Sequence, residues 1–433
     1  MLICKRIEVP LMASKKTHAY YAALSAFSGS TLEFYDYYVY ALASALIIGK
    51  IFFPVQDALA ADLASYSTLA AGFLARPLAG AVFGFLGDKW GRKKVLTITV
   101  VLMGTATMGI GLLPSYATLG IAASIALVLL RILQGISVGG EWGGSVLMAS
   151  EHATPKWKIF AASFAQLGSP AGMLVALSAF QLANGFGEGV FFAWAWRLPF
   201  LMGGVLALGC FFLRCKLNET PEFLAMQSGE IPSSLHLGQK LKGCWLNIFY
   251  AGCAVVVGSA GFFFMNTFLL GYATRYILIP RDVILNALFI ATCFQLVTQP
   301  LAALIAKKVG EFIFLVASAL FCLFLPYPVF ICLQTHDTFL IICAITTAIV
   351  ALSGFYAVIA GYIAQAFPVL SRYSAISIAY QSSAALISGF TPLIGTLIAS
   401  YYAENWLPLA LFFSVLALVS IFGVLGINRS FKK

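Results

Sequence analysis

Glu33, Asp36 and Tyr40 recur at i, i+3 and i+7 in the string EFYDYYVY, a spacing that puts two carboxyls and a phenol on one helical face. Arg76, Arg131 and Glu141 are the other ionisable side chains set deep inside long apolar runs. Carboxyls can take up and release protons, whereas a guanidinium stays charged and binds an anion through two parallel donors. Three carboxylates against two guanidiniums leave one negative charge uncompensated, and one added proton makes the set neutral. Asp36 or Glu33 is therefore the first choice for a proton carrier, with Glu141 third. The competing reading for each is an ion pair that only holds helices together. Arg76 and Arg131 either grip a substrate carboxylate or hold a helix carboxylate until protonation releases it.

Uncharged groups would complete a binding site. Gln134 shares a helical face with Arg131 and Glu141, Tyr40 shares one with the carboxyls, and Gln166, Asn266, Gln295 and Gln381 are polar side chains in apolar surroundings. Gln299 and Gln365 belong to the same class. Tyr35, Tyr37, Tyr38 and Tyr40 with Phe262, Phe263 and Phe264 could box a quaternary ammonium; packing or lipid contact is the commoner use of such rings.

The elements that must position these residues follow from composition. The chain of 433 residues is 61% hydrophobic and only 10% charged, with a mean hydropathy of +0.94. Its 26 Lys and Arg and 16 Asp and Glu cannot cover a water-soluble globule of this size, which excludes soluble enzymes, nucleic-acid binders and disordered scaffolds. The net charge of +10 reads as membrane topology and contact with anionic lipid, not as nucleic-acid binding. Nine cysteines without a CxxC pair read as free, small apolar side chains, and four scattered histidines supply no metal or nucleophile cluster. No metal, cofactor or enzymatic activity is expected.

A bilayer crossing needs about 20 apolar residues. Twelve such stretches are present, at 20–48, 62–86, 95–113, 118–149, 159–182, 193–213, 246–270, 283–306, 312–333, 338–366, 374–400 and 406–427. The expected organisation is a cytoplasmic leader 1–17, a six-helix bundle 18–213, a cytoplasmic loop 214–245, a second six-helix bundle 246–427 and a short tail 428–433. With the N-terminus inside, 20 of the 26 Lys and Arg, Arg214 among them, fall on the inner side; Lys50, Arg197, Arg275 and Arg281 fall outside. That asymmetry places both termini in the cytoplasm. GDKWGRKK at 87–94 and AKKVGEF at 306–312 suggest an internal repeat, with Gly91 and Gly310 separated by 219 positions.

GFLGDKWGRKK resembles the loop signature of the major facilitator superfamily. EFYDYYVY, RILQGISVGGEWGG, ETPEF, FPVLSRYSAISIAY and GFTPLIG are similar to the metabolite:proton symporter branch, most closely its proline/betaine transporters. The resemblance covers nearly the whole chain. It implies an all-α integral membrane protein of twelve transmembrane helices in two pseudo-symmetric six-helix bundles. It also implies a conformational gate at Asp88, Gly91 and Arg92, and alternating access in the cell (inner) membrane by a monomer. The implied activity is proton-coupled import of a small carboxylate-bearing metabolite. A zwitterion such as proline or betaine leads, and mono- or dicarboxylates such as 2-oxoglutarate or shikimate follow. Proton-driven export and a non-transporting solute receptor are the rivals. The expected partners are protons, the solute and membrane lipid. Two departures stand out. The second loop signature is degenerate, and NRSFKK stands where osmosensing carriers bear a long coiled-coil tail, so regulation through such a tail is not expected. Thr220 before Pro221 in ETPEF reads as the cap of a short surface helix.

Overall fold

The structure is a computed structural model that describes residues 15–53, 58–228, 241, 243–402 and 405–431. Each of the twelve apolar stretches is helical. The spans are α1 (Lys15–Ala43, continued through Ser44–Ile48 to Phe52), α2 (Ala58–Trp90), α3 (Arg92–Leu112), α4 (Ile121–His152), α5 (Pro155–Asn184) and α6 (Ala195–Cys215). The second set is α7 (Trp245–Arg275), α8 (Arg281–Val309), α9 (Glu311–Gln334), α10 (Thr338–Gln365), α11 (Arg372–Tyr401) and α12 (Leu407–Phe431). Most of the expected leader and the middle of the 214–245 loop lie outside the described residues. Ten of the helices, α3 to α12, are long and apolar enough to cross a membrane. α1, rich in Tyr and Ser and carrying Glu33 and Asp36, is less apolar.

Burial is inverted relative to a soluble protein. Leu74, Leu78 and Ile121 are more than two-thirds exposed, while Arg92, Arg214 and Glu141 are fully enclosed. Apolar side chains outside and charges inside are what hydrocarbon surroundings select, because backbone and charge must both be satisfied internally.

The described residues divide into two compact units, Met1–His152 with Gly168–Ser233 and Ala153–Leu167 with Ser234–Lys433. α5 is interrupted at Leu167, and its first part, Lys158–Gln166, packs on α8 and α10 in the second unit. Gly361 permits that approach, since a Cβ there would stand 2.9 Å from Ile159 Cα. In the first unit α2 and α4 touch backbone to backbone at Gly72 and Gly135, where an added Cβ on Gly135 would overlap the Gly72 carbonyl oxygen. The second unit centres on an aromatic cluster in which Phe264 meets Phe268, Phe330 and Phe413.

The internal repeat is visible in the backbone. Gly91 and Gly310, each preceding the helix that follows its turn, adopt φ +104° and +102°, a region L side chains rarely enter. α1 and α7 each contain a π-helical segment, Ser44–Ile48 and Phe264–Phe268, whose starts are 220 positions apart. Two unrelated local signatures thus repeat at offsets one residue apart, 219 and 220 positions.

Candidate functional site

α1 presents Glu33, Asp36 and Tyr40 to the interior of the first unit, and all three are buried. Asp36 is held from three sides. Thr107 on α3 and Gln134 on α4 both donate to its Oδ1, and Arg131 Nη1 stands 3.8 Å from Oδ2. Gln134 is used at both ends of its amide: Oε1 accepts from Arg131 Nη1 at 2.5 Å, and Nε2 also reaches Thr107 Oγ1 at 3.0 Å. Tyr40 lies under Arg131 with 3.8 Å from guanidinium carbon to ring centre, and its hydroxyl meets that of Thr68. Arg131, Gln134 and Tyr40 are therefore committed to Asp36 and to one another, an arrangement that orients a carboxylate.

Glu33 differs. Its Oε2 is buried and has no hydrogen-bond partner. The cation acting on it is Arg76, with Glu141 and Asp36 the neighbouring carboxylates. Arg76 is only partly buried and stacks on Phe73, 3.9 Å from guanidinium carbon to ring centre. Of the two guanidiniums named from sequence, Arg76 is the more accessible.

Glu141 belongs to a separate knot. Arg214 Nη1 donates to its Oε2 at 3.0 Å and Arg214 Nη2 to Oε1, while Thr99 and Ser145 donate to the two oxygens at 2.8 Å each. Arg214 also donates to the Leu96 carbonyl. Gly29 leaves the room for this pair, since a Cβ there would overlap Arg214 Nη2. The knot ties α1, α3, α4 and α6 together. It also corrects the charge count: Arg214, assigned above to the inner loop, is 1% exposed. α6 extends through Cys215 and carries Arg214 back into the protein. The three carboxylates named from sequence, Glu33, Asp36 and Glu141, thus have three guanidiniums near them, Arg76, Arg131 and Arg214. Seven cysteines are free among the described residues.

At the end of the unit where α2 meets α3, Gly91 turns the chain and Arg92 is completely buried. Its Nη2 stands 3.6 Å from Asp88 and its Nε 3.4 Å from Glu151. Glu219 accepts from the backbone N–H groups of Arg92 and Lys93 at 3.0–3.3 Å, covering the start of α3. This suits a carboxylate at a helix N-terminus. Thr220 caps the helix Pro221–Gln227 through Phe223 N, and the Phe223 ring lies 5.1 Å from the Arg92 guanidinium. The ETPEF string is therefore more than a local cap, because it clasps the Asp88–Arg92 turn.

The other named residues lie in the second unit. Gln166, Gln295 and Gln381 are buried, and Asn266, inside the π-helical segment of α7, donates to Phe262 O at 3.0 Å. Gln299 is 2% exposed and its Oε1 has no partner; Gln365 is exposed at the end of α10 and bonds Gly361 O. Tyr356 and Tyr380, not singled out from sequence, share a 2.6 Å hydroxyl contact. Among the described residues of this unit no charged side chain is buried. Of the aromatic residues named from sequence, Tyr35 donates to Pro199 O, Tyr37 packs on Phe73, and Phe264 is in the aromatic core of the second unit. No cluster able to hold a metal occurs among the described residues.

Residues 22–235 match the sugar (and other) transporter family. The shikimate transporter of Escherichia coli K12 is 32% identical over 92% of each chain. The chain belongs to the major facilitator superfamily. Other relatives of this major facilitator chain include the proline/betaine transporter of Salmonella typhimurium LT2, 31% identical over 92% of this chain and 81% of that one. Among solved structures, the proton:xylose symporter XylE is similar over 97% of this chain and 96% of its own, with a TM-score of 0.72 at 18% identity. The protein is thus a multi-pass membrane transporter for a small molecule and not an enzyme.

Proposed function

We propose that this transporter imports a small carboxylate-bearing metabolite together with a proton, by alternating access, across a cell (inner) membrane. In this reading both chain ends face the cytoplasm, and Asp88, Gly91, Arg92 and Glu219 hold the cytoplasmic gate. The proton carrier is Glu33. The observation that carries this is the contrast among three carboxyls: Glu141 has donors on both oxygens, Asp36 has two donors on Oδ1 and the Arg131 guanidinium 3.8 Å from Oδ2, while Glu33 Oε2 has no donor. A carboxyl in that condition is cheaply kept neutral and costly to ionise, whereas a carboxylate wrapped in donors resists protonation. Arg76, near Glu33 and partly accessible, takes the substrate carboxylate; binding and protonation are then coupled through one guanidinium.

Within the second unit the buried polar groups are amides and hydroxyls, among them Gln295, Gln299, Gln381, Tyr356 and Tyr380. With Asp36 and Glu141 committed to guanidiniums and Glu33 taking the proton, this site leaves no carboxylate for a substrate ammonium, and a hydroxylated monocarboxylate fits better than the zwitterion favoured from sequence. Glycine betaine, with no hydrogen-bond donor, fits least. The test is uptake of radiolabelled shikimate, proline, glycine betaine and 2-oxoglutarate into proteoliposomes, with and without an inward-acid gradient. Gradient-stimulated accumulation of the hydroxylated acid is expected, with Arg76→Lys raising its KM because Lys lacks the fork. Accumulation of betaine alone would reverse the substrate assignment, and uptake indifferent to the gradient would remove proton coupling.

A further inference from the structure

At the end of the first unit remote from Asp88 and Arg92, a cavity of about 530 Å³ is walled by Lys50, Tyr116, Phe192, Trp196 and Arg197. Lys50 and Arg197 are two of the four cations that the sequence reading places on the side opposite the basic loops. Their meeting in one cavity is the first unusual observation. The second is that neither is neutralised: no carboxylate stands within ion-pair distance of either among the described residues.

The guanidinium is pre-positioned. Arg197 Nη1 donates to the Gly111 and Leu113 carbonyls at 2.8 and 2.7 Å, and its carbon lies 4.5 Å from the Trp196 ring centre. Trp196 is fixed in turn against Phe52 and Phe200. Arg197 Nε and Nη2 make no bond to the protein and remain available. Lys50 spends its ammonium only on the Phe192 ring, 4.9 Å away. A fixed fork and a mobile ammonium in an aromatic-walled cavity bind a phosphate-type anion.

The neighbouring surface indicates what carries that anion. Leu112, Leu119, Ile121, Val190 and Trp194, on the segments that form the cavity, are all exposed. In a chain of this composition such side chains meet acyl chains, with Trp at the headgroup level. We propose that this cavity binds the anionic headgroup of a membrane phospholipid. The phosphodiester sits between Arg197 and Lys50, and the chains lie over the apolar rim.

Native mass spectrometry of the purified full chain tests this, with phosphatidylglycerol or phosphatidylcholine of the same acyl composition added. The wild type retains phosphatidylglycerol preferentially, and Lys50→Ala retains it about fivefold less, with recovery in Lys50→Arg. Lys50 is the residue to change because Arg197 also caps α3, and its removal would confound binding with folding. Equal retention of the two lipids, or wild-type retention in Lys50→Ala, overturns the proposal. Displacement of bound phosphatidylglycerol by millimolar glycerol 3-phosphate also overturns it, since that would make a water-soluble anion the occupant.

Discussion

Three buried carboxyls on neighbouring helices have different chemistry because their donors differ. Glu141 receives Arg214, Thr99 and Ser145, so removing Arg214 strands a charge. Arg214→Ala should destabilise the protein by about 3–5 kcal/mol, while Arg214→Met with Glu141→Leu should recover much of that loss. Thermal unfolding in detergent measures both; equal stability of the two variants would mean the pair is not the knot described. Asp36 anchors Arg131 and Gln134, so Asp36→Asn should impair solute exchange as well as accumulation. Retained exchange would return Asp36 to the role of carrier. The face shared by Glu33, Asp36 and Tyr40 was legible from spacing alone, and the burial of Arg131 from the apolar run around it. Arg214 was not, because it follows the apolar run FFL directly, and counting basic residues outside apolar runs treats every such arginine as loop. Thr99 and Thr107 gave no signal either, since a threonine in a membrane helix most often bonds its own backbone, and both also do so here.

Helix contacts in the first unit depend on missing side chains. Gly135 against Gly72 brings α2 and α4 together and so sets Arg76 and Arg131 beside α1. Gly135→Leu should prevent that approach and abolish the folded, monodisperse species in size-exclusion chromatography; a normal elution profile would show that α4 can shift without loss. The twelve spans were readable to within a few residues, since length and hydropathy set them. The π-helical segments were not, because an i→i+5 turn costs one residue of register and leaves the apolar pattern unchanged. ETPEF shows the limit of local reasoning: Thr220 capping its own helix follows from the sequence, but Glu219 covering the start of α3, 127 positions from Arg92, does not.

At the scale of the whole molecule the charge distribution is lopsided. The buried charges lie in the first unit, and the second buries only amides and hydroxyls among its described residues. Yet the two halves repeat one backbone plan, down to the matching glycines at 91 and 310. Divergence within a common plan confines the candidate proton site to the first unit. Net charge cannot reveal this, because Glu33, Asp36 and Glu141 each have a guanidinium near them; what separates Glu33 is satisfaction, not sum. The most direct measurement therefore compares two modes of transport in one preparation: counterflow exchange without a gradient, and uptake driven by an inward-acid gradient, in wild type and Glu33→Gln proteoliposomes. Glu33→Gln should keep exchange near the wild-type rate and lose gradient-driven accumulation. Accumulation that survives in Glu33→Gln, or exchange lost to the same extent as accumulation, would contradict Glu33 as the proton carrier.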